Sequence, residues 1–197
     1  MREIAVNGRG PIPDDRFGRV ERVPMTKAPV RALLVSLLAP LSGARVLEIG
    51  TGSGGVTVEL LRAVGESGRV TSVERLPEAL AVARENIARF GFAERAELIG
   101  GSAPESLPPG PFDAVFIGGH GEELEKIMKA CLEVLSPGGR MLLTAISPRT
   151  SYRVLSCFEA LGIVPGFWRI QTAVGRKIGS EWLPIGNNPI DVIWGDK

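Results

Sequence analysis

Apolar and polar positions change period along this chain, and the changes mark its elements. Val30, Leu33, Leu34, Leu37 and Leu38 recur at i, i+3, i+4, i+7 and i+8, the spacing of one apolar helix face. Thr26 is placed to cap that helix, Pro29 is tolerable in its first turn, and Pro40 and Gly43 end it. A short apolar run, Arg45 to Ile49, leads into a glycine-rich turn and then an amphipathic run from Val56 to Val64. That is a buried strand, a tight loop and a helix. Arg69 to Glu74 reads as a second strand, and Glu78 to Phe90 as a helix stopped by Gly91. Ala96 to Ile99 and Phe112 to Ile117 read as the third and fourth strands. Glu122 to Leu135 is a helix with Leu124, Ile127, Met128, Cys131, Leu132 and Leu135 inward.

Ser136-Pro137-Gly138-Gly139 reads as the turn into a fifth strand, Arg140 to Ala145, and Ser151 to Leu161 as the next helix. Phe167 to Val174 and Pro189 to Trp194 are β-rich runs around a polar, glycine-bearing segment, the pattern of an antiparallel hairpin closing the sheet. Strand and helix alternate five times before that hairpin. The order predicts an α/β fold with helices on both faces of one sheet. The expected organisation is a single domain over residues 1–197 with its core at 45–195. Residues 1–24, punctuated by Pro11, Pro13 and Pro24, read equally as an arm or lid and as a loose tail.

The chemistry concentrates at Glu48-Ile49-Gly50-Thr51-Gly52-Ser53-Gly54-Gly55. Glycines let the backbone turn sharply and let a ligand lie against bare main chain. The helix that follows offers unpaired N–H groups. Gly50, Gly52 and Gly55 fit the G-x-G-x-x-G of dinucleotide folds, so glycine spacing alone decides nothing. Glu48 tips the balance, because a carboxylate there sits badly beside a pyrophosphate and suits a cation such as S-adenosylmethionine. Glu74, about 20 residues further on, stands where an acid takes ribose hydroxyls. Gly100 to Pro104 and Gly118 to Gly121 are loops at further strand carboxyl ends, the first of them where an adenine would be gripped.

Composition narrows the field. Charged residues are 23% of 197 and net charge is +1, so no broad basic field speaks for nucleic acid. Met1 to Asp15 has no apolar core of a signal peptide, and Val30 to Leu41 is too short to span a bilayer and contains Arg31. A cytoplasmic protein is expected, with Cys131 and Cys157 as buried thiols. A lone histidine, His120, is no basis for a multi-histidine metal site, and no metal is expected.

As a set, the Glu48–Gly54 loop, Glu74, Phe112-Asp113-Ala114-Val115-Phe116-Ile117 and Ser136-Pro137-Gly138-Gly139-Arg140 resemble a class I S-adenosylmethionine-dependent methyltransferase. Within it the chain is similar to the CbiT family, the decarboxylating cobalt-precorrin C-15 methyltransferases of cobalamin biosynthesis. Pro24-Met25-Thr26-Lys27, Ala103-Pro104-Glu105, Phe116-Ile117-Gly118-Gly119 and Asn188-Pro189-Ile190 carry that likeness. The resemblance implies a Rossmann-like, seven-stranded, mostly parallel sheet, a homotetramer and a tetrapyrrole substrate that brings its own cobalt. It implies cofactor contacts at Thr26, Glu48, Gly50, Thr51, Gly52, Ser53, Gly54, Glu74, Arg75, Ser102 and Ala103.

A polycarboxylate substrate calls for basic residues at the mouth of the site. Lys27 and Arg149 are the best placed, with Arg16, Arg176 and Lys177 behind them; taken alone, each reads more readily as a solvated surface charge. Gly118 and Gly119 would leave room for a flat macrocycle, and His120 would reach an acetate group. Two features depart from the family pattern: the segment Gly179 to Gly186, and His120, where a small polar residue is expected. The fused precorrin methyltransferase domain found in some relatives is not part of this sequence. Rival readings are a tRNA adenine-N1 or other class I methyltransferase, a non-catalytic cofactor-binding subunit, and a nicotinamide enzyme on the same glycine pattern.

Overall fold

Strand β1 (Arg45–Ile49) is the axis of the molecule because both of its faces are covered. In the computed structural model, which describes residues 10–21 and 23–197, Val46 packs on one side of the sheet and Leu47 and Ile49 on the other. The part of the expected arm at residues 1–9, and Arg22, lie outside the described residues. Parallel strands buried on both faces need nearly continuous apolar sequence, which Val46 to Ile49 supplies apart from Glu48. Around β1 the chain adds β2 (Arg69–Glu74), β3 (Ala96–Gly100), β4 (Phe112–Ile117) and β5 (Leu135–Ala145). Strands β6 (Gly166–Ile170) and β9 (Ile190–Asp196) complete a seven-stranded sheet of order β3-β2-β1-β4-β5-β9-β6, in which β9 alone runs antiparallel to its neighbours; β7 (Ala173–Ile178) and β8 (Glu181–Gly186) form a separate ribbon.

Among the described residues five α-helices cover the sheet: α1 (Ala28–Leu38), α2 (Gly55–Val64), α3 (Pro77–Arg89), α4 (Leu124–Val134) and α5 (Pro148–Ala160). Leu34, Leu60, Leu61 and Ile87 of the first three pack on the Val46 face. Ile127, Met128, Cys131, Val154 and Phe158 of the last two pack on the Leu47 face. Each such side chain contributes about 1.5–3 kcal/mol by leaving water. Cys131 and Cys157 are buried free thiols, as expected. Among the described residues no helix is long and apolar enough to cross a membrane.

Three expectations need correction. Thr26 is not the cap of α1: Lys27 occupies that position without a side-chain bond, and Asp14 Oδ1 accepts the Ala28 N–H at 2.9 Å from the arm. Ser136 to Gly139 is not a separate turn but an irregular start to β5, where the register with β4 shifts between Phe112 and Ala114. The C-terminal strands do pair antiparallel, Gly166 to Ile170 against Trp194 to Ile190. The chain between them, however, is the ribbon β7–β8, which starts at Ala173 and whose residues are all exposed.

Residues 10–21 and 23–24 pack as an arm across α1, α2 and α3. Arg31, fully buried, anchors it: Nη1 donates to Asp14 Oδ1 at 2.8 Å and to the Thr26 carbonyl at 2.6 Å, and Nη2 donates to the Ile12 carbonyl. The guanidinium lies 4.8 Å from the Phe17 ring centroid, and Nε is 3.8 Å from Glu59 Oε1. Asn86 is the second anchor. Its Oδ1 accepts from Gly18 N at 2.8 Å, and its Nδ2 donates to the carbonyls of Gly18 at 2.9 Å and Ser53 at 2.8 Å.

Candidate active site

The strand order reverses at β1, whose neighbours β2 and β4 lead away in opposite directions, so a crevice opens at the carboxyl ends there. Its walls are tied together by main chain. Gly118 N and Gly119 N both donate to the Ile49 carbonyl, at 2.8 and 3.2 Å, and Gly50 N donates to Val73 O at 2.9 Å. Gly50 has φ +85°, and a Cβ there would come within 2.7 Å of Gly119 N, so conformation and space both demand glycine. The result is a cavity of about 380 Å³.

Of the residues expected to bind cofactor, Gly50, Gly52, Glu74, Arg75, Ser102 and Ala103 line that cavity, as do Gly118, Gly119 and His120 of those expected to meet substrate. Glu74 sits between β1 and β3 at the crevice floor. Its Oε2 accepts from Gly52 N and its Oε1 from Leu76 N, both at 2.9 Å. An ionised carboxylate has about four acceptor positions, so two remain for hydroxyl groups in the cavity.

The other expected residues lie elsewhere. Glu48 does not line the cavity: it is fully buried beneath the loop, on the face of β1 that α2 covers. Its Oε2 accepts from Thr57 Oγ1 at 2.5 Å and Ser72 Oγ at 2.8 Å, while Oε1 has no partner among the described residues. Burial pushes this carboxyl up to about 7, against the two hydroxyl bonds, with a further push from Glu74. Thr51 and Ser53 are also buried under the loop; Thr51 Oγ1 is 2.5 Å from Ser72 Oγ. Gly54, at φ +79°, caps α2 against Ala83. Thr26 serves the arm through its carbonyl, and Lys27 Nζ points to Asp14 Oδ2 at 3.9 Å. Arg149 is exposed in the first turn of α5, outside the cavity.

The sequence reading missed several wall residues: Val23 and Pro24 from the arm, Leu76, and the acids Glu122 and Glu123 before α4. The visible signal for the arm was Arg31, a charge on an otherwise apolar helix face. An arginine buried there needs acids and carbonyls brought to it from outside the helix.

This fold, with its crevice, glycine loop and strand-end acid, is that of a Rossmann-like class I methyltransferase. A crystal structure described as precorrin-6y C5,15-methyltransferase from Geobacter metallireducens superposes with a TM-score of 0.89 at 29% identity, covering 95% of this chain and 98% of that one. A second, described as precorrin 8W decarboxylase from Methanobacterium thermoautotrophicum, gives 0.87 at 33% identity over 93% and 98%. A curated relative from Saccharolobus solfataricus, named a probable cobalt-precorrin-6B C(15)-methyltransferase (decarboxylating), is 38% identical over 94% of this chain and 95% of its own. A family model described as a precorrin methyltransferase domain matches residues 20–190, and the chain belongs to that family.

Proposed function

We propose that the protein methylates C-15 of a cobalt-precorrin from S-adenosylmethionine, with loss of an acetate carboxyl as carbon dioxide, in cytoplasmic cobalamin biosynthesis. The observation that carries the cofactor assignment is the Glu74 carboxylate, fixed by Gly52 N and Leu76 N with acceptor positions left over at the floor of a glycine-walled cavity. The names of the relatives support the substrate.

The residues fit the cofactor. Glu74 would take the ribose hydroxyls; Arg75, Ser102 and Ala103 would border the adenine; Gly50 and Gly52 would offer bare main chain to the methionine part. Thr51, Ser53, Gly54 and Glu48 hold that loop from behind, and Thr26 helps to fix the arm in front of it. When bound, S-adenosylmethionine supplies an electrophilic methyl group on a sulfonium. The chain's own part is orientation and exclusion of water. Holding two reactants in line is worth about 7–11 kcal/mol in favourable cases, so no nucleophile triad is required. Gly118 and Gly119 leave space on the β4 side for the flat substrate, and His120, whose Nδ1 is 2.7 Å from Gly121 O, stands at its border.

Residues 45–195 are then the catalytic core, and Lys27 and Arg149 serve as outlying charges for the polyanion. The β7–β8 ribbon, with Val174, Ile178, Trp182, Leu183 and Ile185 exposed, is where we place contacts between copies in a homotetramer. Equilibrium binding of methyl-labelled S-adenosylmethionine in competition with NAD tests the cofactor reading. Saturable S-adenosylmethionine binding that NAD does not displace is expected; preference for NAD overturns it.

A further inference from the structure

The cavity of about 380 Å³ has the size of one small ligand, and none of its lining residues comes from β5, β6 or β9. A cofactor held from Glu74 and Ser102 to Gly50 would take most of it and leave the Gly118–His120 border to one edge of the substrate. The rest of the substrate must therefore lie beyond, on the next stretch of the carboxyl edge. The sheet register shows what stands there. The β4–β5 ladder ends at Ile117–Leu143, just before Gly118 and Gly119; two residues further along β5, Ala145 pairs with Asp191, and Asp191 with Arg169. At about 4.8 Å per strand, the three steps from β4 to β6 put Arg169 about 14 Å from the Gly119 end.

Arg169 is a prepared group. Its Nε and Nη2 donate to Asp191 Oδ1 and Oδ2 at 2.7 and 2.9 Å, and Ser151 Oγ donates to Oδ2 at 2.5 Å. Asp191 is 3% exposed while Arg169 is 55% exposed. A guanidinium has five N–H donors, and the pair uses two. The edge formed by Nη1 and the second Nη2 hydrogen makes no bond among the described residues, and it matches a second carboxylate bidentately. Two other large side chains near these elements are open to solvent: Ile146, the residue after β5, is 83% exposed, and Tyr152 in α5 is 71% exposed.

The geometry points to Arg169 as a carboxylate-binding residue for the substrate, with Asp191 and Ser151 positioning it. This rests on the polycarboxylate tetrapyrrole proposed above. The probes are cobyrinic acid, a corrin heptacarboxylate, and its heptamethyl ester, titrated calorimetrically with S-adenosylhomocysteine present. Arg169→Met should weaken acid binding about tenfold or more and leave ester and S-adenosylmethionine affinities unchanged. Because Asp191 is then left unpaired, a second variant, Arg169→Met with Asp191→Asn, keeps the site neutral and should show the same selective loss. Wild-type affinity for the acid in a folded variant of either kind sinks the Arg169 assignment alone, leaving a purely structural ion pair. Failure of the wild-type protein to bind either corrin sinks the substrate reading with it.

Discussion

Glu48 and Glu74 show how burial divides two like residues between different tasks. Glu74 meets the cavity with its carboxylate already oriented by two backbone N–H groups. Removing it takes away acceptors that cost nothing to preorganise, so Glu74→Ala should raise the Kd for S-adenosylmethionine at least tenfold, read by calorimetry, with the circular dichroism spectrum unchanged. Glu48, raised to about 7 by burial, acts on stability instead. Between the ordinary value of 4.5 and about 7 the folded state binds more protons than the unfolded one, so this residue's contribution falls as pH rises through that window and is flat above it. Glu48→Gln removes the slope. From pH 5 to pH 8 the variant should gain on the wild type by up to about 3 kcal/mol in urea unfolding. Identical pH profiles would show that Glu48 is not the group responsible. Sequence reading found both acids, but treated Glu48 as facing the ligand. Strand alternation turns it towards α2, where Thr57 and Ser72 wait.

At the scale of elements, the strands were legible where packing imposes a pattern. β1, β2 and β4 begin and end where the apolar runs do, because both faces of each are covered. The arm was not legible as an ordered element, because polar groups rather than a periodic apolar face hold it. Asn86 and Arg31 make that dependence measurable. Asn86→Ala removes three hydrogen bonds that join Gly18 to the Ser53 loop. Faster proteolysis within residues 10–24 and a several-fold weaker S-adenosylmethionine Kd are expected, since Val23 and Pro24 wall the cavity. An arm as resistant as in the wild type would show that Asn86 does not hold it. Arg31→Met removes the buried donors that Asp14 Oδ1 and the carbonyls of Ile12 and Thr26 accept from, and should destabilise by about 3–5 kcal/mol. The ribbon β7–β8 escaped sequence reading for a related reason. None of its residues is buried in the chain, so no alternation was imposed by the core.

For the whole molecule, the crevice was legible from the glycine loop and the acid at Glu74, and Gly118, Gly119 and His120, read as its substrate border, line it too. Lys27 and Arg149 were chosen by position along the chain; the sheet register instead brings Arg169 to the carboxyl edge, through a strand pairing that no local pattern displays. Assembly belongs to this scale too. If the ribbon joins copies as proposed, Trp182→Ser with Ile185→Ser on it should lower the mass seen by analytical ultracentrifugation without unfolding the protomer, and an unchanged mass would contradict that proposal. The most direct measurement of the central claim is mass spectrometry of a cobalt-precorrin-6B incubated with the protein and methyl-labelled S-adenosylmethionine. The account predicts one labelled methyl group gained and one carbon dioxide lost per tetrapyrrole, with both changes abolished or sharply slowed in Glu74→Ala. An unaltered tetrapyrrole, with the protein folded and the cofactor bound, would contradict it.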